Sequence, residues 1–233
     1  MSDFSNDLIS SMKSTLFDSS FEIASDYAEL TIDTIFDNEI VKEIPIVKTL
    51  TSICKIGYNI HERNLLKQTV NFIIGFNSNT IPQEKIDKYR VELENNPKKA
   101  GKELNNVVVI LNNYFENMKS QVLGSFYNLY VSGNVSWEKF CELSEANNRI
   151  FVSDYNILYE VSRTGGVDIK GEELYQVERL ISLGLLQKSN RLGGVQIIDF
   201  DNPPQRTHDV VITSFGETFI QGLVKIFECS LKQ

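Results

Sequence analysis

Catalysis needs nucleophiles, bases and ligands at workable spacing, and this chain of 233 residues offers few. There are two histidines. His61 stands before Glu62 and Arg63 at a junction between helical segments, and His208 lies in a turn-rich stretch. Cys54, Cys141 and Cys229 each sit in an apolar, helix-like context and read as reduced, partly buried small hydrophobes. No G-x-S-x-G elbow, phosphate-binding GK[ST] loop or G-x-G-x-x-G turn occurs. The stretch SGNVSWEKF has the outline of a calcium-loop exit, but it lacks the alternating Asp ligands and the glutamate at the twelfth place. The expectation is therefore no catalytic residue, no metal site and no cofactor: the protein is not an enzyme.

One constellation does stand out. Asp18, Glu22, Asp26, Glu29, Asp33 and Asp37 are spaced by three or four residues, which places six carboxylates on one stripe of a helix. Phe17, Phe21, Ala24, Ala28 and Ile35 follow on another face, so residues 16–38 are expected to form one amphipathic helix. Like charges one turn apart repel, and no lysine lies between them to relieve the cost. The stripe is a solvated face, or a docking strip for a basic partner protein or a second copy of the chain.

Charge over the whole chain sharpens the point. Lys and Arg number 23 against 31 Asp and Glu, a net charge of −8. Ten of those acids and two of the bases lie in residues 1–44, so this segment alone carries −8 and residues 45–233 balance. Such a balance disfavours a general polyanion binder. With 42% apolar and 23% charged residues the composition is that of a globular protein. Met1–Lys13 lacks the pattern of a secretion signal, and no apolar run is long enough to span a bilayer, which suggests the cytoplasm.

Residues 45–163 carry helical periodicity throughout. Pro45 breaks the chain, and Ile46, Val47, Leu50, Ile53, Cys54 and Ile56 then mark a core helix, or alternatively a membrane-surface helix over residues 44–60. A helix is expected over Asn64–Phe76. Another spans Ile81 to about Glu94, with Thr80 as cap and Gln83 completing a capping box. Asn95-Asn96-Pro97 stops it, and Lys98–Tyr130 continues with a break near Glu116–Met118. Gly133-Asn134 turns the chain, Ser136 caps the next helix, and a last helix carries Ile150–Val161. Helices of this length joined by short turns form a bundle.

The run NFIIGFNSNTI, IPQEKIDKYRVEL, MKSQVLGSFYNLYVSGNVSWEKFCEL resembles the helical core of TerB-like proteins. The whole chain, with its acidic start and its tail, resembles small bacterial proteins of the Abi-alpha kind. That likeness implies a role in phage defence or a related stress response. The metal-binding acidic residues associated with TerB proteins have no matching cluster in this chain.

After Gly165-Gly166 the pattern changes. A helix is expected over Asp168–Leu183, ended by Gly184; then strands over Leu185–Lys188 with Val195–Phe200, and over Asp209–Thr213; then a helix from Glu217 to Leu231. Helix, L-G-L-L, hairpin and T-x-x-G-x-x-F resemble the winged helix of many bacterial regulators. A DNA-reading version needs bases on the helix before L-G-L-L, but that helix holds Glu172, Glu173 and Glu178 against Lys170 and Arg179. Protein contacts are therefore preferred. A DNA-binding regulator, using Lys188, Arg191 and Arg206 with Lys98, Lys99 and Lys102, is the alternative; a membrane-active effector using residues 44–60 is another. The expected fold is mainly α: an acidic N-terminal helical segment (1–44), a helical bundle (45–163) and a small α+β winged-helix-like domain (164–233). The expected partner is a protein or a second copy of the chain, with nucleic acid and membrane disfavoured.

Overall fold

The computed structural model describes residues 2–17, 39–53, 60–167, 174–189 and 209–230. They fall into two compact units, Met1–Asn148 with Lys225–Gln233, and Arg149–Val224. In chain order the elements are α1 (Ser2–Phe17), α2 (Glu39–Glu43), α3 (Pro45–Ile53), α4 (Ile60–Phe76), α5 (Gln83–Asn95), α6 (Pro97–Asn112), α7 (Asn117–Val131), α8 (Trp137–Arg149), α9 (Asp154–Thr164), β1 (Gly166–Val167), α10 (Leu174–Ser182), β2 (Leu186–Lys188), β3 (Val210–Ile212) and α11 (Ser214–Ser230). The chain is thus mainly helical with one small sheet.

The first unit is built on α4 and α7. Both are buried over most of their circumference, which a helix achieves only inside a bundle. Their contact is unusually close. A Cβ on Gly75 would collide with the carbonyl of Gln121, and one on Gly124 with the carbonyl of Phe72. Side chains that the apolar pattern ignores line the same seam. Ser120 Oγ donates to Gln68 Oε1 (2.7 Å) and Gln121 Nε2 donates to Asn71 Oδ1 (2.8 Å). Asn128 Nδ2 donates to the carbonyls of Phe76 and Asn79, both at 2.7 Å, and so satisfies acceptors at the end of α4. Buried polar groups are tolerated here because they find partners across the seam.

Around this pair the helix ends follow local chemistry. Asn96 closes α5 and caps α6, where its Oδ1 accepts from Lys99 N (3.1 Å) and Pro97 takes the first helical position. Ser136 Oγ accepts from Lys139 N (3.2 Å) and caps α8. A break between α6 and α7 is present at residues 113–116, just before the Glu116–Met118 expected; Asn117 and Met118 already belong to α7. The capping box at Thr80–Gln83 does not form: Pro82 is the N-cap residue, without a side-chain cap, and Gln83 Nε2 instead donates to Asp87 Oδ1. Proline at the cap moves the start two residues past Ile81 and carries Gln83 out of reach of the position a capping box needs.

α1 covers Ser2–Phe17, and Leu8, Met12, Thr15, Leu16 and Phe17 are buried in the first unit; the remainder of the helix expected over 16–38 lies outside the described residues. Ile46 N, in the unsatisfied first turn of α3, donates to Thr15 Oγ1 at 3.0 Å, so α1 supplies a cap to a helix 31 positions away. The Phe17 ring meets Tyr89 edge-on at 5.4 Å and Phe76 at 6.1 Å. Ile46, Val47 and Leu50 of α3 are buried in the same unit.

The second unit covers residues 149–224 and includes α9. β1 is a two-residue strand that no sequence pattern marks. It pairs antiparallel with β3 (Gly166 opposite Val211), and β2 pairs antiparallel with β3 (Leu186 opposite Ile212), giving the order β1-β3-β2. Gly165 and Gly184 end α9 and α10 at φ of 79° and 72°, the left-handed region glycine adopts without strain. Thr213 Oγ1 caps α11 by accepting from Gly216 N (2.9 Å), so the helix starts at Ser214, three residues before the expected Glu217. The expected strand Val195–Phe200 lies outside the described residues.

Candidate interaction surface

The second unit carries a cation held between two exposed rings. Asp154, the first residue of α9, is fully buried, and its Oδ2 accepts from Phe151 N (2.9 Å), closing the turn before the helix. Arg179 on α10 reaches the same carboxylate with two bonds, Nε to Oδ2 at 2.8 Å and Nη2 to Oδ1 at 2.7 Å. This fork-to-fork geometry is the strongest form of the ion pair. Hydrogen bonding to Asp154 holds the guanidinium above its ordinary pKa, so it stays charged throughout. The planar cation lies 4.6 Å from the centre of the Phe151 ring and 5.6 Å from that of Tyr175. Tyr175 stands one helical turn before Arg179 on α10. Phe151 is 58% exposed and Tyr175 64% exposed. An arginine fixed by a buried carboxylate and flanked by two exposed aromatics is a preorganised patch of the residue types that dominate protein interfaces.

The same geometry weakens a phosphate- or base-reading role for α10. Arg179 spends its fork on Asp154. Lys188 on β2 pairs with Glu178 of α10 at 2.8 Å. Arg191 and Arg206 lie outside the described residues, as do Asp18, Glu22, Asp26, Glu29, Asp33 and Asp37. Of the other bases considered, Lys99 binds Glu92 (2.5 Å) and faces Glu103 (3.6 Å), while Lys98 and Lys102 are exposed. In the sequence Arg179 is only a base among acids. Its i, i+4 spacing from Tyr175 and the helix-start position of Asp154 were the available signals for the patch.

The densest polar cluster is in the first unit. Glu103 is 3% exposed and accepts from Tyr89 Oη (2.5 Å) and Tyr130 Oη (2.9 Å); the Tyr89 and Tyr127 hydroxyls are 3.0 Å apart. Burial, then the neighbouring Tyr127 and Glu103, pushes the Tyr89 phenol far up. Burial and Glu103 push Tyr130 up to about 12. These phenols are hydrogen-bond donors to a carboxylate, not proton shuttles at neutral pH, and they tie α5, α6 and α7 together. His61 is exposed; His208 and Cys54 lie outside the described residues. Cys141, on α8, is exposed as a residue, yet the partial desolvation of its thiol, with Glu138 nearby, raises its pKa. Among the described residues no group of three or more His, Cys, Asp or Glu converges, and no helix is long and apolar enough to cross a membrane.

Comparison of the chain with family models, with curated proteins and with solved structures finds no match, so the patch and its geometry are what bear on function.

Proposed function

We propose that this is a non-enzymatic interaction protein, which acts by binding another protein through its second unit and its acidic N-terminal stripe. The carrying observation is the locking of Arg179 onto buried Asp154 between exposed Phe151 and Tyr175. The order β1-β3-β2, with α10 between β1 and β2 in the chain and β2 antiparallel to β3, supports a winged-helix-like reading of this unit. In a DNA-reading winged helix, α10 would present free bases to the groove. Here its arginine serves the core and its Glu178 neutralises Lys188. By the resemblance to TerB-like and Abi-alpha-like proteins, the setting is bacterial phage defence or a stress response. Mixing the protein with random duplex DNA at low salt tests the choice: no retardation is expected. Retardation that Lys188→Ala or Arg179→Ala reduces would overturn it in favour of a DNA-binding regulator.

A further inference from the structure

The first unit contains a second feature, independent of the patch. Residues of α6 and α8 flank a groove of about 250 Å³. Asn106 and Val109 of α6, with Asn113 just past its end, reach it from one side; from α8, Trp137, Cys141 and Asn148 do the same. Fully buried Phe140 lies beneath. Its ring stacks on Trp137 at 5.0 Å with an interplanar angle of 29°, so the indole is already fixed in place. Val109 is 54% exposed at the lip.

The hydrogen-bonding character of the walls is specific. The carboxamides of Asn106 and Asn148 make no hydrogen bond to any described residue; only the backbone carbonyl of Asn148 is engaged, by Lys119 Nζ. A carboxamide offers a donor and an acceptor side by side, which matches the edge of a base. An indole offers the flat apolar face on which a base stacks. The charge around the groove selects further. Glu142 is paired with Lys139 at 2.6 Å. Glu145, the only charged side chain lining the groove, is engaged by neighbouring groups. No lining residue is a cation; Lys102, one turn before Asn106 on α6, acts on Cys141 but is set against Glu138. The volume lies just under the about 300–1,000 Å³ of ordinary ligand pockets, which suits one small planar ligand.

We propose that the groove between α6 and α8 binds a neutral planar heterocycle of the nucleobase or nucleoside type, stacked on Trp137 and held at its edge by Asn106. Trp137 is the only tryptophan of the chain, so its emission reports on this groove alone. The intact protein is titrated with adenosine, guanosine, cytidine and uridine, and with their 5′-monophosphates. At least one nucleoside quenches or shifts the emission saturably, and its monophosphate binds about tenfold or more weakly. Asn106→Leu, at an exposed helical position, keeps the far-ultraviolet dichroism and weakens the nucleoside about tenfold or more. Trp137→Phe loses the optical signal but still binds by calorimetry, since a smaller ring can stack. Three results would each overturn the assignment: no saturable response to any of the four nucleosides, equal binding of the monophosphate, or an unchanged affinity in Asn106→Leu.

Discussion

Asp154 and Arg179 show how one pair can serve both stability and recognition. The carboxylate is fully buried, so removing its partner leaves an uncompensated charge in the core of the second unit. Arg179→Ala is expected to destabilise that unit by about 3 kcal/mol, read by denaturant titration or by hydrogen exchange on α9 and α10. Phe151→Ser and Tyr175→Ser remove exposed rings and should change stability by less than about 0.5 kcal/mol. The buried phenols set a different dependence. Burial raises the pKa of Tyr89, Tyr114 and Tyr127 above their ordinary value of 10.0. Above pH 10 the unfolded chain loses those protons while the folded chain keeps them. The stability from these groups is therefore complete below pH 10 and falls as pH rises past it, by about 1.4 kcal/mol per pH unit for each fully protonated phenol. Denaturant curves at pH 8, 9, 10 and 11 check the sign; a flat profile up to pH 11 would contradict the buried cluster.

At the scale of elements, the α4–α7 seam leaves no room for a methyl group. Gly124→Ala or Gly75→Ala should separate the helices and cost about 1–3 kcal/mol or more, measured by thermal or denaturant unfolding. The periodicity of the sequence located both helices, because apolar residues recur at helical spacing whatever the partner. It could not show the seam. Gln68, Asn71, Ser120, Gln121 and Asn128 read as polar interruptions until their partners across the interface are known. Helix ends divide the same way. Asn96 with Pro97, Ser136, and Gly184 act locally and were legible, whereas Thr80 was displaced by the proline two residues on. β1 was invisible, since two residues carry no period and the strand exists only through its pairing with β3.

For the whole molecule, α1 changes what a truncation can test. Deleting residues 1–17 removes Met12, Leu16 and Phe17 from the first unit together with the Thr15 cap on α3. Even Phe17→Ala alone should cost about 3–5 kcal/mol by denaturant titration. The acidic stripe is therefore better tested by charge reversal at Asp26, Glu29 and Asp33 than by deletion. The uneven charge of the chain was legible in full. The patch on the second unit was not, because Phe151, Asp154, Tyr175 and Arg179 lie up to 28 positions apart and come together only through the packing of α9 against α10. The most direct test compares the tagged wild type with a Phe151→Ser, Tyr175→Ser double variant. Each is purified from the cells that make the protein, with mass spectrometry and an absorbance ratio on the eluate. The interaction reading predicts a stoichiometric protein that the wild type retains and the equally folded variant loses. A variant that keeps the same protein, or a wild type that carries nucleic acid through moderate salt, would contradict it.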